Sequence, residues 1–198
     1  MPEDRARACH GVAALVLAAG HGRRFGSDKR RARLTDGRTL LRATLDSLAP
    51  CFATPLVVLR AEDDDAALEL PGSAKRLHVA PDAAGMGDSL ATGVKALLHD
   101  APHYRALAVV LGDMPAVREE TLRRLCTAAS AENIVRPARA GRCGHPVLFG
   151  RHWWPELAEL GGDEGARALL QRHAAQLVEV AVDDDGIHRD VDTPEALP

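Results

Sequence analysis

The sequence predicts an α/β protein, a three-layer α/β/α sandwich built on a Rossmann-like, mostly parallel sheet. Three observations predict it. The runs Val12 to Ala19, Leu56 to Leu59 and Ala106 to Leu111 are apolar without polar alternation, as strands are when both faces of a parallel sheet are covered. Stretches with apolar residues at helical spacing lie between and after them, and strands alternating with helices is the pattern of parallel connections. Directly behind the first run the chain passes through Gly20, Gly22 and Gly26, at the carboxyl end of a strand, where open α/β sheets bind ligands.

The remaining elements follow in order. Residues 1–10 read as a flexible tail and residues 11–198 as one domain, long enough for a three-layer core. Leu34 to Arg38 is a turn centred on Asp36-Gly37. Thr39 to Leu48 carries a helical stripe that Pro50 ends. Asp63-Asp64-Asp65 reads as the solvated start of a helix. Lys75 to Ala80 is a weaker strand, and Leu90 to Leu98 a helix that Asp88 or Ser89 would cap. Arg118 to Ala129 is helical, Glu132 to Pro137 a strand, Ala166 to His173 a helix and Leu177 to Val182 the last strand. Asp183 to Asp185 reads as a solvated acidic turn. Asp192 fits the N-cap of a closing turn, with Pro194 in its first turn and Glu195 completing a capping box.

Composition removes several function classes. Net charge is −3, against the basic excess of a general nucleic-acid binder. Aromatic residues are 3% of the chain, too few for a base-stacking platform. The longest apolar run is far short of the roughly 20 residues of a spanning helix, so no membrane partner is expected. Arg5 and Arg7 before Val12–Ala19 mimic a signal peptide, but removing that run would destroy the glycine turn. Cys9, Cys51, Cys126 and Cys143 form no Cys-x-x-Cys pair, so free thiols and a cytoplasmic location are expected.

The candidate chemistry gathers at the glycine turn. Glycine tolerates positive φ and close ligand approach, and successive N–H groups in such a turn form an anion-binding nest. Arg24 and Lys29 flank it, which makes a cradle for a triphosphate; the alternative is a surface turn with solvated arginines. The spacing matches neither a Walker A loop nor the Gly-x-Gly-x-x-Gly dinucleotide fingerprint. Asp113, at the end of Ala106–Leu111, stands where a metal ligand would be useful, or caps the turn before the next helix. His145 is open to three readings: general base, metal ligand or hydrogen-bond donor. Trp153 and Trp154 either pack in the core or flank a flat ring. Asp163 and Glu164 suit a helix N-terminus on electrostatic grounds alone.

The wording of these stretches carries a resemblance. Leu17-Ala18-Ala19-Gly20-x-Gly22-x-Arg24-Phe25-Gly26-x-x-Lys29 resembles the signature of nucleotidyltransferases that activate sugar phosphates and the molybdenum cofactor. Its Ala-Ala-Gly form is similar to the molybdenum cofactor cytidylyltransferases of the MobA-like NTP transferase family, where guanylyltransferase relatives more often read Ala-Gly-Gly. Gly85 to Gly93, Gly112-Asp113-Met114-Pro115, Gly144 to Phe149, Gly162 to Leu170 and Asp190-x-Asp192-Thr193-Pro194-Glu195 resemble further family motifs, in family order. Two departures stand out: Ala80 precedes Pro81 where Asn-Pro is usual, and Arg30-Arg31-Ala32-Arg33 follows Lys29.

The resemblance implies a fold of the nucleotide-diphospho-sugar transferase type. It implies transfer of CMP from CTP to the terminal phosphate of the molybdopterin cofactor, with release of pyrophosphate. Arg24, Lys29 and Asp113 would be catalytic. Leu17, Ala18, Ala19, Gly20, Gly22, Gly85 and Ser89 would join them in binding the nucleotide. His145, Asp163 and Arg167 would bind the second substrate. Asp113 and Asp190 would hold Mg²⁺, or Mn²⁺ in its place, with Asp192 as the alternative second ligand. A client molybdoenzyme or its accessory chaperone would receive the product. The alternatives are GTP as donor, another phosphorylated acceptor, or a carrier of the molybdenum cofactor without catalysis.

Overall fold

The computed structural model describes residues 9–20, 22, 25–83, 85–100, 103–163 and 165–197. Among them, eight strands form one sheet: β1 (Val12–Leu17), β2 (Leu56–Leu59), β3 (Lys75–His78), β4 (Ala106–Leu111), β5 (Ile134–Arg139), β6 (Arg142–Cys143), β7 (Val147–Gly150) and β8 (Leu177–Ala181). The helices are α1 (Leu40–Leu48), α2 (Met86–Asp100), α3 (Glu119–Ala128), α4 (Trp154–Ala158) and α5 (Arg167–Arg172). The path across the sheet is β3-β2-β1-β4-β7-β5-β6, with β8 beside β5.

The parallel half carries the site. β1 pairs in parallel with both β2 and β4, and Leu17 lies level with Leu111. Alternate residues of β1 serve opposite layers. Val12, Ala14 and Val16 pack with Leu41, Leu45 and Leu48 of α1 and with Leu122, Leu125 and Cys126 of α3. Ala13 and Leu15 pack with Leu90, Val94 and Leu97 of α2 and with Trp154 and Leu157 of α4. Helices on both faces bury β1 from Val12 to Val16 and leave only Leu17, at the cleft, partly exposed, so the run is apolar throughout.

The other half is mixed: β7 runs against both β4 and β5, and β8 lies parallel to β5. A tight turn makes the reversal, with Ala140 and Gly141 both at positive φ, the backbone that two-residue hairpins require. Trp153 and Trp154 donate their indole N–H groups to the carbonyls of Glu132 and Phe149 at 2.9 and 3.1 Å. Both rings are core residues, not walls for a flat ligand.

Several sequence expectations change. The helix expected from Leu90 begins at Met86, so Asp88 and Ser89 lie in its first turn and neither is the N-cap; the Asp88 carboxylate instead accepts from the Gly85 N–H. Asp63 starts no helix and is not solvated: it pairs with Arg30. The closing Pro194–Ala196 turn is capped at Thr193, not Asp192. Cys9, Cys51 and Cys126 are free thiols, with Cys9 in contact with each of the other two. A hydrogen bond with Cys126 pushes the Cys9 thiol up to about 12 against an opposing one with Cys51, and burial adds to the rise.

The acidic turn Asp183–Asp185 is not solvated at its centre. Asp184 is 2% exposed and accepts from the N–H groups of Arg118 and Gly186, both at 2.9 Å, and from the Thr121 hydroxyl at 2.7 Å. It thereby caps the N-terminus of α3 from across the chain, since Arg118 has no side chain able to accept. Asp184→Ala leaves those buried donors unpaired, and urea unfolding is expected to show a loss of about 2–4 kcal/mol.

Candidate active site

The turns after β1 and β4 open side by side because the strands are neighbours. Gly112 N–H donates to Leu17 O at 3.0 Å, and Ala18 N–H to Val58 O at 2.9 Å. These carboxyl ends floor a cleft of about 670 Å³. Leu17, Ala18, Ala19, Gly20, Gly22, Lys29, Gly85, Ser89, Asp113, Asp163 and Asp190 all line it. Arg24 lies outside the described residues. His145 and Arg167 are not among the lining residues, and Arg167 is exposed at the start of α5.

Lys29 is the charged centre. Its ammonium donates to Asp113 Oδ2 at 2.5 Å and to Asp192 Oδ1 at 3.1 Å. Burial opposes its charge, but the two carboxylates outweigh burial and raise its pKa. Lys29 packs its stem against Gly22, which has φ +55; a Cβ there would also lie 3.2 Å from Lys29 Cγ. Only glycine serves both demands.

The second carboxyl oxygen of Asp113, Oδ1, is buried without a hydrogen-bond partner. Such an atom is costly unless something binds it. Val191 N–H donates to Asp113 O at 3.1 Å, which holds the Asp190–Asp192 segment beside Asp113. Asp190 and Asp192 both line the cleft, and Asp192 is also engaged by Lys29. The carboxylates available on this side of the cleft to a hard divalent cation are therefore Asp113, Asp190 and Asp192. Among the described residues no group of three or more His, Cys, Asp or Glu side chains forms a cage. Such a cation would complete its shell with water and substrate oxygens, as Mg²⁺ does.

The opposite wall is the start of α2. Gly87 N–H donates to Gly162 O at 2.7 Å, and Ser89 Oγ donates to Gly85 O at 3.1 Å. A Cβ on Gly85 would come within 2.3 Å of Asp163 Oδ1 and 2.5 Å of Gly162 O. The Gly-Met-Gly wording thus permits the Gly161–Asp163 turn to close onto the helix end. Ser89 spends its proton on a backbone carbonyl. The backbone N–H of His145 donates to Ile187 O at 2.9 Å, and its ring Nδ1 is buried without a hydrogen-bond partner. Burial lowers its pKa against the opposing charges of Asp190 and Asp113, so its ring is suited to binding as a neutral group.

Sequence reasoning missed several cleft residues, among them Arg30, Arg60, Glu62 and Met86. Arg60 gives no local signal, and although Asp28 is near Arg30 in the chain, its second partner, Asp63, is 33 positions away. Met86 was read only as part of a motif.

A glycine turn, a lysine and carboxylates at the carboxyl ends of parallel strands form a ligand cleft of the kind that open α/β sheets carry. The chain belongs to the MobA-like NTP transferase family, whose domain model matches residues 14–177, and it is a nucleotidyltransferase of that family. It is 32% identical to the purine catabolism protein PucB of Bacillus subtilis, over 91% of each chain. It is 27% identical to nicotine blue oxidoreductase of Paenarthrobacter nicotinovorans over 94% of each, and 31% identical to a molybdenum cofactor guanylyltransferase of Bradyrhizobium over 69% of this chain and 64% of that one. The Rv0371c homologue of Mycobacterium sp. strain JC1 superposes with TM-score 0.81 at 30% identity, covering 94% of this chain and 92% of that one. The Mycobacterium tuberculosis Rv0371c complex with manganese superposes at 0.69 and 30% identity, covering 86% and 87%.

Lys29→Met removes the ammonium from a largely buried Asp113. Urea unfolding is expected to show a loss of about 2–3 kcal/mol, since an uncompensated buried charge remains. A second expectation concerns pH. Burial raises the Asp28 pKa, but its bonds and charge contacts with Arg30 outweigh that and hold it below the usual carboxylate range. A carboxyl group with a depressed folded pKa contributes stability above its unfolded value, and that contribution is lost as pH falls through the folded value. The destabilisation of Asp28→Asn should hold constant from neutral pH to about pH 4 and shrink only below it, as read from urea midpoints across a pH series.

Proposed function

We propose that this chain transfers CMP from CTP to the terminal phosphate of the molybdopterin cofactor. An oxygen of that phosphate forms a bond to the α-phosphorus of CTP, the α–β bridging P–O bond breaks, and pyrophosphate departs with the electron pair. The observation that carries the reading is the Lys29–Asp113 pair with an unpartnered Asp113 Oδ1 beside Asp190 and the glycine turn. A non-catalytic carrier of the molybdenum cofactor has no need of a buried lysine held on a carboxylate.

The attacking group is already an anion, so the reaction needs positioning and charge neutralisation more than a general base. The glycine turn and Lys29 receive the triphosphate, and the Lys29 ammonium offsets charge on the α-phosphate and the leaving pyrophosphate. Asp113 and Asp190 hold a divalent cation, Mg²⁺ or Mn²⁺, which supplies further charge neutralisation on the phosphates. Asp192 keeps Lys29 oriented. Arg24 adds a second cation to the turn. Ser89 supports the α2 end against the nucleotide. Asp163, on the wall formed by the start of α2, faces the acceptor; for His145 and Arg167, which do not line the cleft, an acceptor role rests on the family resemblance alone. The choice of CTP rests on the Ala18-Ala19-Gly20 wording, and the molybdenum cofactor as acceptor on the family relationship.

The experiment is pyrophosphate release with CTP, GTP, ATP and UTP in turn, with Mg²⁺, with and without molybdopterin cofactor. Release with CTP only when cofactor is present is the expected outcome. Preference for GTP moves the chain to the guanylyl reading. No release by a protein that still binds cofactor supports the carrier reading. Asp113→Asn and Asp190→Asn should each lower turnover by about 100-fold or more, the scale of losing a charge-stabilising group in the transition state. Asp192→Asn should cost less.

A further inference from the structure

Arg30 is 4% exposed although it lines the cleft. Its guanidinium has five N–H donors, and all five are used within the chain. Nε and Nη2 donate to Asp28 at 2.8 and 2.6 Å. Nη1 and Nη2 donate to Asp63 at 2.5 and 2.6 Å. Nη1 also donates to Ala18 O at 2.8 Å. A guanidinium saturated in this way has no N–H left for a phosphate.

Its neighbour Arg60 completes the arrangement. Arg60 donates from its side chain to Ala19 O at 3.2 Å and Gly20 O at 2.5 Å, and its backbone N–H donates to Asp63 at 2.8 Å. Three successive carbonyls of the glycine turn are therefore held by arginine. A peptide unit is planar with C=O and N–H opposed. Holding the carbonyls of Ala18 and Ala19 thus turns the N–H groups of Ala19 and Gly20 away from the arginines. Two arginines and two aspartates also leave the cluster neutral, so it adds no net field to the cleft.

We infer that Arg30 is a positioning residue that joins two walls of the cleft, the turn 18–20 and the segment 60–63, and so sets the backbone N–H groups that receive the nucleotide phosphates. Lys29 is its chain neighbour within the same short turn, Lys29–Arg31, and is aimed by the same contacts. The inference rests, in its nucleotide part, on the transferase reading above. Its mechanical part does not. Lysine cannot replace Arg30, because an ammonium offers three donors without the planar fork that spans two carboxylates.

The test compares Arg30→Lys, Asp63→Asn and Arg60→Gln with Leu125→Ala, a buried core variant in α3 that touches none of the arginine–aspartate contacts and supplies a comparable fall in Tm. Amide hydrogen exchange is followed in peptides covering 17–20 and 57–63, and affinity for CTP and GTP with Mg²⁺ is measured by calorimetry without acceptor. Arg30→Lys and Asp63→Asn should speed exchange in both segments together and weaken the bound nucleotide by about tenfold or more, the scale of losing charge-assisted N–H contacts. Arg60→Gln, which keeps the Arg30 cluster, should loosen only the turn. Leu125→Ala should change neither reading. Wild-type exchange in Arg30→Lys, loosening of one segment alone in Asp63→Asn, or equal effects in Leu125→Ala would overturn the inference. A wild-type chain that binds neither nucleotide defeats the transferase reading and the nucleotide part of this one, while exchange still decides whether Arg30 joins the two walls.

Discussion

A full positive charge lies almost out of reach of water beneath the cleft, and the cleft's shape depends on its compensation. Left alone, the Arg30 guanidinium would cost several kcal/mol. Asp28 and Asp63 each meet it with two hydrogen bonds, and Ala18 O takes the last donor. Such a charge tolerates few alternative geometries, because any shift of either aspartate leaves a buried donor unpaired. It therefore specifies one conformation for a glycine turn that would otherwise have many. Glycine provides access and the arginines provide definition.

The same logic runs through the cation next in the chain. Lys29 is drawn to Asp113 and Asp192, so the turn after β1, the end of β4 and the C-terminal segment meet at one ammonium. The consequence is electrostatic. One oxygen of Asp113 is neutralised by lysine and the other is left unpartnered, an asymmetric carboxylate that still has an acceptor to offer a cation. The parallel half of the sheet makes this possible by presenting the ends of β1 and β4 in register.

The mixed half serves a different end. The β5–β6 hairpin and β7 complete the sheet, and the chain that follows places Trp153 and Trp154 under α2 and across from it. That packing seats the Gly161–Asp163 turn against the start of α2, where glycine at Gly85 and Gly87 lets backbone meet backbone. The wall at the start of α2 is thus built by close approach, whereas the wall at the glycine turn is built by charge.

The sequence by itself determined the α/β class and most of the strands. Val12–Leu17, Leu56–Leu59 and Ala106–Leu111 were legible because burial on both faces leaves an apolar run with no alternation. It also marked the stretches that line the cleft, since glycine turns and a strand-ending Gly112-Asp113 are local signals. Family wording marked Arg24 as well, which lies outside the described residues. The tertiary structure alone decided what each charge does. Asp63, Asp184 and Asp192 read as solvated or capping groups, and instead meet Arg30, the α3 N-terminus and Lys29. The antiparallel reversal and the buried role of Arg30 were equally hidden. The physical reason is range. Burial patterns and turn chemistry act within a few residues and leave a local trace, whereas an ion pair spanning 33 or 163 positions leaves none until the chain has folded.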